Sequence, residues 1–133
     1  MTTIRKFIDI NAPAAQVWDV VRDVGAVHTR FAPGFVTNTV LEDGARVVTF
    51  ANGLVAREVI VGLDEKLRRL AYSASGGRLT HHNASFEVTE VTHGRTRLVW
   101  TADVLPDTMQ SLVEPMMEAG SQAIVKALSP AER

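Results

Sequence analysis

Apolar and polar residues alternate along most of this chain with the period of two that half-buried strands require, and helical spacing takes over near both ends. Residues 2–10 predict a first strand, with Ile4, Ile8 and Ile10 on one side. Asn11 then reads as a helix cap. Ala12 and Pro13 take the first helical positions, where a missing N–H is harmless, and Val17, Trp18 and Val21 form the stripe of a helix over 13–22. Asp23 predicts the cap of a second short helix over 24–31, ending before Pro33-Gly34. Six strands follow at 35–41, 45–51, 54–63, 67–75, 80–91 and 95–104, punctuated by Asp43-Gly44, Asn52-Gly53, residues 64–66, Gly76-Gly77 and His93-Gly94. After Pro106 the period lengthens: Asp107 and Gln110 read as a capping box, and an apolar stripe runs from Met109 through Met116 and Gly120 to Leu128. Pro115 inside this helix predicts a kink near Ser111–Leu112, where a backbone bond is lost.

The hairpin over 45–63 gives the first chemical clue. A two-residue turn at Asn52-Gly53 pairs Thr49 with Ala56, Val47 with Glu58 and Ala45 with Ile60, and opposed residues share a face. Arg46 and Arg57 then fall on the other face, which reads as solvent, so Glu58 points inward among small side chains. A lone inward carboxylate needs a polar partner or enclosed water, because an unpaired buried charge costs several kcal/mol. The chain therefore predicts a cavity beside Glu58. A bifurcated structural hydrogen bond or a slipped register is the competing explanation.

His81 and His82 are adjacent on one strand, face opposite ways, and cannot chelate one metal. A three-residue turn over 92–94 pairs Val88 with Leu98, Phe86 with Trp100 and Ala84 with Ala102, which turns His82 inward; a two-residue turn would instead turn His81, Ser85 and Glu87 inward. The first buries apolar groups and is preferred.

With 133 residues, the chain can form one domain, residues 1–133, that buries roughly two-thirds of its surface. Fourteen Lys+Arg against fifteen Asp+Glu give a formal charge of −1, and the arginines are scattered, which argues against nucleic acid as a partner. The absence of cysteine excludes disulfides, thiolate catalysis and Cys-based metal sites. No phosphate-cradling glycine pattern, HExxH or GxSxG is present, so neither cofactor nor metal is expected. Nothing suggests membrane insertion, and MTTIRKFIDI lacks an apolar h-region, which makes the cytoplasm the expected location.

A strand, two short helices, a six-stranded antiparallel meander and a long C-terminal helix is the element order of an α+β helix-grip fold. Through IDINAPAAQVWDVVRDV at 8–24, REVIVGLDEKLRRLAYS at 57–73 and FEVTEVTHGRTRLVWTADVLPD at 86–107, the chain resembles the START-like (SRPBCC) superfamily. Within it the chain is similar to the polyketide cyclase/dehydrase and lipid-transport branch. The resemblance implies a seven-stranded antiparallel sheet wrapped around the long helix, with an apolar cavity between them. It also implies that Glu58 matches an inward acid holding polar ligand atoms through water, and that Tyr72 matches an aromatic pocket wall. The bare Asn52-Gly53 turn lacks the longer gating loop of the superfamily's plant hormone receptors.

These readings converge on a protein that binds a small, mostly apolar lipid, polyketide or aromatic metabolite. Glu58, Tyr72 and His82 would anchor its polar end, and Ile60, Leu70, Phe86, Trp100, Met116 and Gly120 would form walls. Phe31, with Val27, would stand near a mouth shared with Gly76-Gly77. At Gly120 the missing side chain either leaves room for ligand or lets the helix touch the sheet. The alternative is a cyclase or dehydrase using Glu58, His82 and Tyr72 as acid–base groups. A third reading places a second copy of the chain on the outer hairpin face, at Val48, Phe50, Val55, Val59 and Val61.

Overall fold

A computed structural model describes residues 2–130. Its strands are β1 (Thr2–Ile10), β2 (Val36–Glu42), β3 (Ala45–Phe50), β4 (Val55–Asp64), β5 (Arg69–Ser75), β6 (His81–Thr92) and β7 (Arg95–Leu105). They form one antiparallel sheet in the order β1-β7-β6-β5-β4-β3-β2, so the chain's first strand returns to pair with its last. Helix α1 (Ala14–Val21) packs on β6 and β7, and the long helix α2 (Gln110–Leu128) lies against β1 and the turn over Val27–Phe31. Alternation explains the core: Ile4, Ile8 and Ile10 from β1 meet Leu98, Trp100 and Ala102 from β7 on the concave face, with Val17 and Trp18 of α1 sealing one end.

The element order is as the hydrophobic pattern predicts, while the helix starts differ. Pro13, not Asn11, caps α1, without a side-chain bond. The backbone N–H of Asn11 donates instead to Ser129 Oγ at 3.0 Å, tying β1 to the end of α2. Residues 24–31 do not form an ordinary helix capped by Asp23. A single π-helical turn spans Val27–Phe31, closed by the Ala32 N–H on the Val27 carbonyl at 2.8 Å, and the Asp23 carboxylate accepts from Arg30 Nη1 at 2.8 Å. Asp107 and Gln110 make no capping box. A 3₁₀ turn over Asp107–Met109 leads into α2, and Gln110 donates to Glu114 Oε2 at 3.1 Å.

The buried stripe of α2 is rotated from the expected one: Met117, Gly120, Ser121 and Ile124 are buried, Met116 is half-buried and Ala127 is exposed. Ser121 enters the core because its hydroxyl is satisfied inside the helix, donating to the Met117 carbonyl at 2.7 Å.

The two hairpins depart from expectation in opposite ways. At the β3–β4 tip the loop has three residues, Ala51-Asn52-Gly53, closed by Phe50 N–H to Leu54 O at 2.8 Å and Gly53 N–H to Phe50 O at 2.9 Å. A two-residue type I′ turn needs positive φ at both central positions. Here Gly53 alone has it (φ 88°), while the Asn52 side chain accepts the Leu54 N–H at 3.0 Å. The register therefore slips by one, setting Arg46 opposite Glu58 and Val47 opposite Arg57. Glu58 does point inward, and Arg46, expected in solvent, points inward with it; both are buried. Val47 and Thr49 move to the outer face, and Val48 and Phe50 leave it, so Val55, Val59 and Val61 are what remains exposed of the proposed outer patch.

At the β6–β7 tip the turn is the two-residue one, His93-Gly94, yet a bulge between Glu90 and Thr92 restores the pairing expected of three residues. Val88 faces Leu98, Phe86 faces Trp100 and Ala84 faces Ala102. His82 is accordingly buried and His81 exposed.

Candidate ligand cavity

A cavity of about 640 Å³ lies between the concave face and α2. Its inner wall is Tyr72, His82, Trp100, Ala102 and Glu58 from the sheet; Met109, Val113, Met116 and Met117 close it from the helix side. The rim combines the β3–β4 tip (Leu54, Val55), the loop Gly76-Gly77-Arg78, the 3₁₀ turn (Thr108) and the start of α2 (Leu112). Alternation builds the wall, because Ala56 and Glu58 on β4, Tyr72 on β5, His82 on β6 and Trp100 on β7 all project to the concave side. Small residues at 56, 74 and 102 leave the space, and methionines provide a wall that can repack.

Four polar side chains gather at the inner end. Arg46 Nε donates to Glu58 Oε1 at 2.7 Å, and its Nη1 donates to the Val24 carbonyl at 3.4 Å. The guanidinium stands 5.4 Å from the centre of the Tyr72 ring, within cation–π range. Burial pushes the Glu58 carboxyl up from 4.5 by more than Arg46 pulls it back. Glu58 also borders a second chamber, of about 40 Å³, shared with Arg46, Phe86 and Gly120; by volume it has room for a water molecule.

Tyr72 Oη accepts from Trp100 Nε1 at 3.0 Å, and burial, reinforced by the Glu58 charge, pushes its pKa far up. His82 Nδ1 accepts the Ala74 backbone N–H at 3.0 Å. Burial pushes the imidazole down from 6.5. A histidine held neutral by the fold contributes stability that is present above its unfolded pKa and lost as pH falls through the lower folded value. Wild type should therefore lose stability on acidification below about pH 6.5, and His82→Gln should flatten that part of the profile. Urea midpoints measured across the interval check it; parallel profiles would remove His82 as the source.

The expected site residues divide between two places. Glu58, Tyr72, His82, Trp100 and Met116 border the large cavity. Leu70, Phe86, Phe31 and Ile60 stand behind it: Phe86 stacks on Trp100 at 4.8 Å between ring centroids and meets Phe31 edge-on at 5.0 Å, supporting the wall from beneath. Phe31 and Val27 are buried and do not flank the mouth, whereas Gly76-Gly77 does. Gly120 borders only the small chamber. A Cβ there would lie 3.0 Å from both Phe35 and Trp100, so its missing side chain lets the helix touch the sheet. Arg46 and Ala102 are among the anchor and wall residues that pattern reading did not include, and the register slip is the reason for Arg46. Among the described residues no cluster of His, Asp or Glu could hold a metal ion, and no helix is long and apolar enough to cross a membrane.

A family profile described as polyketide cyclase / dehydrase and lipid transport matches residues 1–129. The chain belongs to that family. Solved structures of similar fold include protein XoxI from Bacillus cereus, with 17% identity, 96% of each chain covered and a TM-score of 0.85. A START superfamily protein from Mycobacterium smegmatis shows 15% identity over 95% of this chain and 96% of that one, TM-score 0.77. The Zhui aromatase/cyclase from Streptomyces sp. R1128 shows 23% identity over 96% of this chain and 90% of that one, TM-score 0.69. At such identities the likeness establishes the helix-grip architecture. No protein with a curated description matches the chain.

Proposed function

We propose that this family member is a binding protein that encloses a small, largely apolar molecule, of the lipid, polyketide or aromatic kind, with its polar end against Tyr72, His82 and Glu58. The observation that carries the reading is the distribution of polarity: a cavity of about 640 Å³ walled by aromatic, methionine and alanine side chains, with its buried polar side chains on the sheet wall. That is how small-molecule sites divide affinity from orientation.

The acid–base alternative has less support from the same groups. A general base needs a free lone pair near its working pH; Glu58 is ion-paired to Arg46 through Oε1, which leaves Oε2 alone uncommitted, the Nδ1 lone pair of His82 is used by Ala74, and the Tyr72 phenol is held protonated. Each group is arranged to hold still. Native mass spectrometry of gently purified protein tests the reading: a stoichiometric apolar molecule released on denaturation is the expected result. Protein that stays empty after exposure to lipid and polyketide extracts would count against a carrier role and in favour of transient catalysis.

A further inference from the structure

Hydrogen-bond partners at the inner end of the cavity define what kind of atom can be received there, granted the binding reading above. A tryptophan Nε1 can only donate, so Tyr72 Oη must be the acceptor in their 3.0 Å bond, and the phenolic hydrogen is left over. Among the described residues nothing accepts it. A backbone N–H can likewise only donate, so His82 Nδ1 carries a lone pair toward Ala74, and the single hydrogen of the neutral ring sits on Nε2. That nitrogen has no protein partner among the described residues and is not one of the sealed-off polar atoms. The two rings lie side by side, 5.7 Å between centroids, on adjacent strands of the same wall. The inner end thus offers two hydrogens and no free charge.

The one carboxylate on this wall is neutralised by Arg46, and Arg46 itself borders the small chamber and not the large cavity. At the inner end an incoming carboxylate would find no uncommitted cation, since Arg78 stands out at the rim, and would lose its hydration. An incoming ammonium would find the one carboxylate already ion-paired to Arg46 through Oε1, and would lose its own hydration. We infer that the cavity selects an uncharged ligand bearing a carbonyl-type oxygen at its inner end, whose two lone pairs accept from Tyr72 Oη and His82 Nε2. The site discriminates by what it lacks as much as by what it offers.

Displacement of the neutral dye Nile red by three thirteen-carbon compounds, methyl undecyl ketone, tridecanoate and tridecylamine, tests this near neutral pH. The ketone should displace the dye at about tenfold lower concentration than either charged compound, and Tyr72→Phe or His82→Phe should each erase about threefold to tenfold of that preference. The comparison within wild type stands even if a variant folds poorly. Equal displacement by all three, or a preference for tridecanoate, overturns the carbonyl assignment and leaves the cavity a ligand site. Failure of the dye and of all three compounds to bind overturns the parent reading, and this one with it.

Discussion

Arg46→Met should destabilise the protein by about 3–5 kcal/mol, among the largest effects available to a single polar position in this chain, because it strands Glu58 in the interior without its cation. The pair is joined at 2.7 Å with both side chains almost wholly buried, so solvent cannot compensate for the loss. The pH dependence follows from the Glu58 shift. A carboxyl whose folded pKa is raised contributes stability that is full below its unfolded value, 4.5, and is lost as pH rises through the folded one. In Arg46→Met that loss should be steeper, since nothing opposes the desolvation, and the variant should recover toward wild type as the buffer is acidified toward pH 4.5. The double variant Arg46→Met/Glu58→Leu should return to within about 1–2 kcal/mol of wild type, as apolar replacements of buried ion pairs do. Chemical denaturation of the three proteins decides it; a double variant as unstable as the single would mean that Arg46 acts through Val24 or Tyr72 and not through Glu58.

Ala102→Leu should weaken ligand binding strongly while keeping the fold. Ala102 is buried on β7 and its methyl borders the large cavity, so a larger side chain can grow into space that is otherwise open. An occupant forced to share that space would lose about 1–3 kcal/mol, the scale of overpacking in a filled interior, which is about fivefold to 150-fold in affinity. Thermal stability should hold or rise, since the added carbons gain contacts. Titration with Nile red alongside a melting curve reads both quantities. Unchanged affinity at intact stability would put the ligand elsewhere, and the outer sheet face would then need explaining. Gly120 is the wrong place for such a test, because a side chain there meets Trp100 and Phe35 before it reaches the cavity.

The sequence pattern carried the architecture nearly intact and the site only partly, and the hairpins show why. On β6 and β7 the large apolar residues Phe86, Val88, Leu98 and Trp100 alternate onto one face and their burial outweighs the local turn, so the expected pairing formed although the turn itself took two residues and a bulge. On β3 and β4 both faces carry valines and both carry an arginine. Burial could not arbitrate between registers there, and the Asn52-Gly53 signal pointed to the wrong loop length. The one-residue slip hid Arg46, the partner that a buried Glu58 demands on physical grounds. Helix starts were misplaced for a different reason: Asn11, Asp23 and Asp107 have capping side chains, but tertiary partners claimed them or the backbone around them. Phe31 and Gly120 fell in the right layer and on the wrong side of Trp100, a distinction of a few ångströms that strand parity cannot resolve.

Trp100 and Trp18 are the chain's only two indoles, and their surroundings make them an internal gauge. Trp100 lines the cavity with its N–H on Tyr72, whereas Trp18 gives its N–H to Glu65 Oε2 at 3.1 Å on the other side of the α1 packing, away from the cavity. One emitter looks at the occupant and the other looks at the scaffold. Ultraviolet emission from the unlabelled protein therefore contains both a signal channel and its own reference, so occupancy and integrity can be followed in one spectrum.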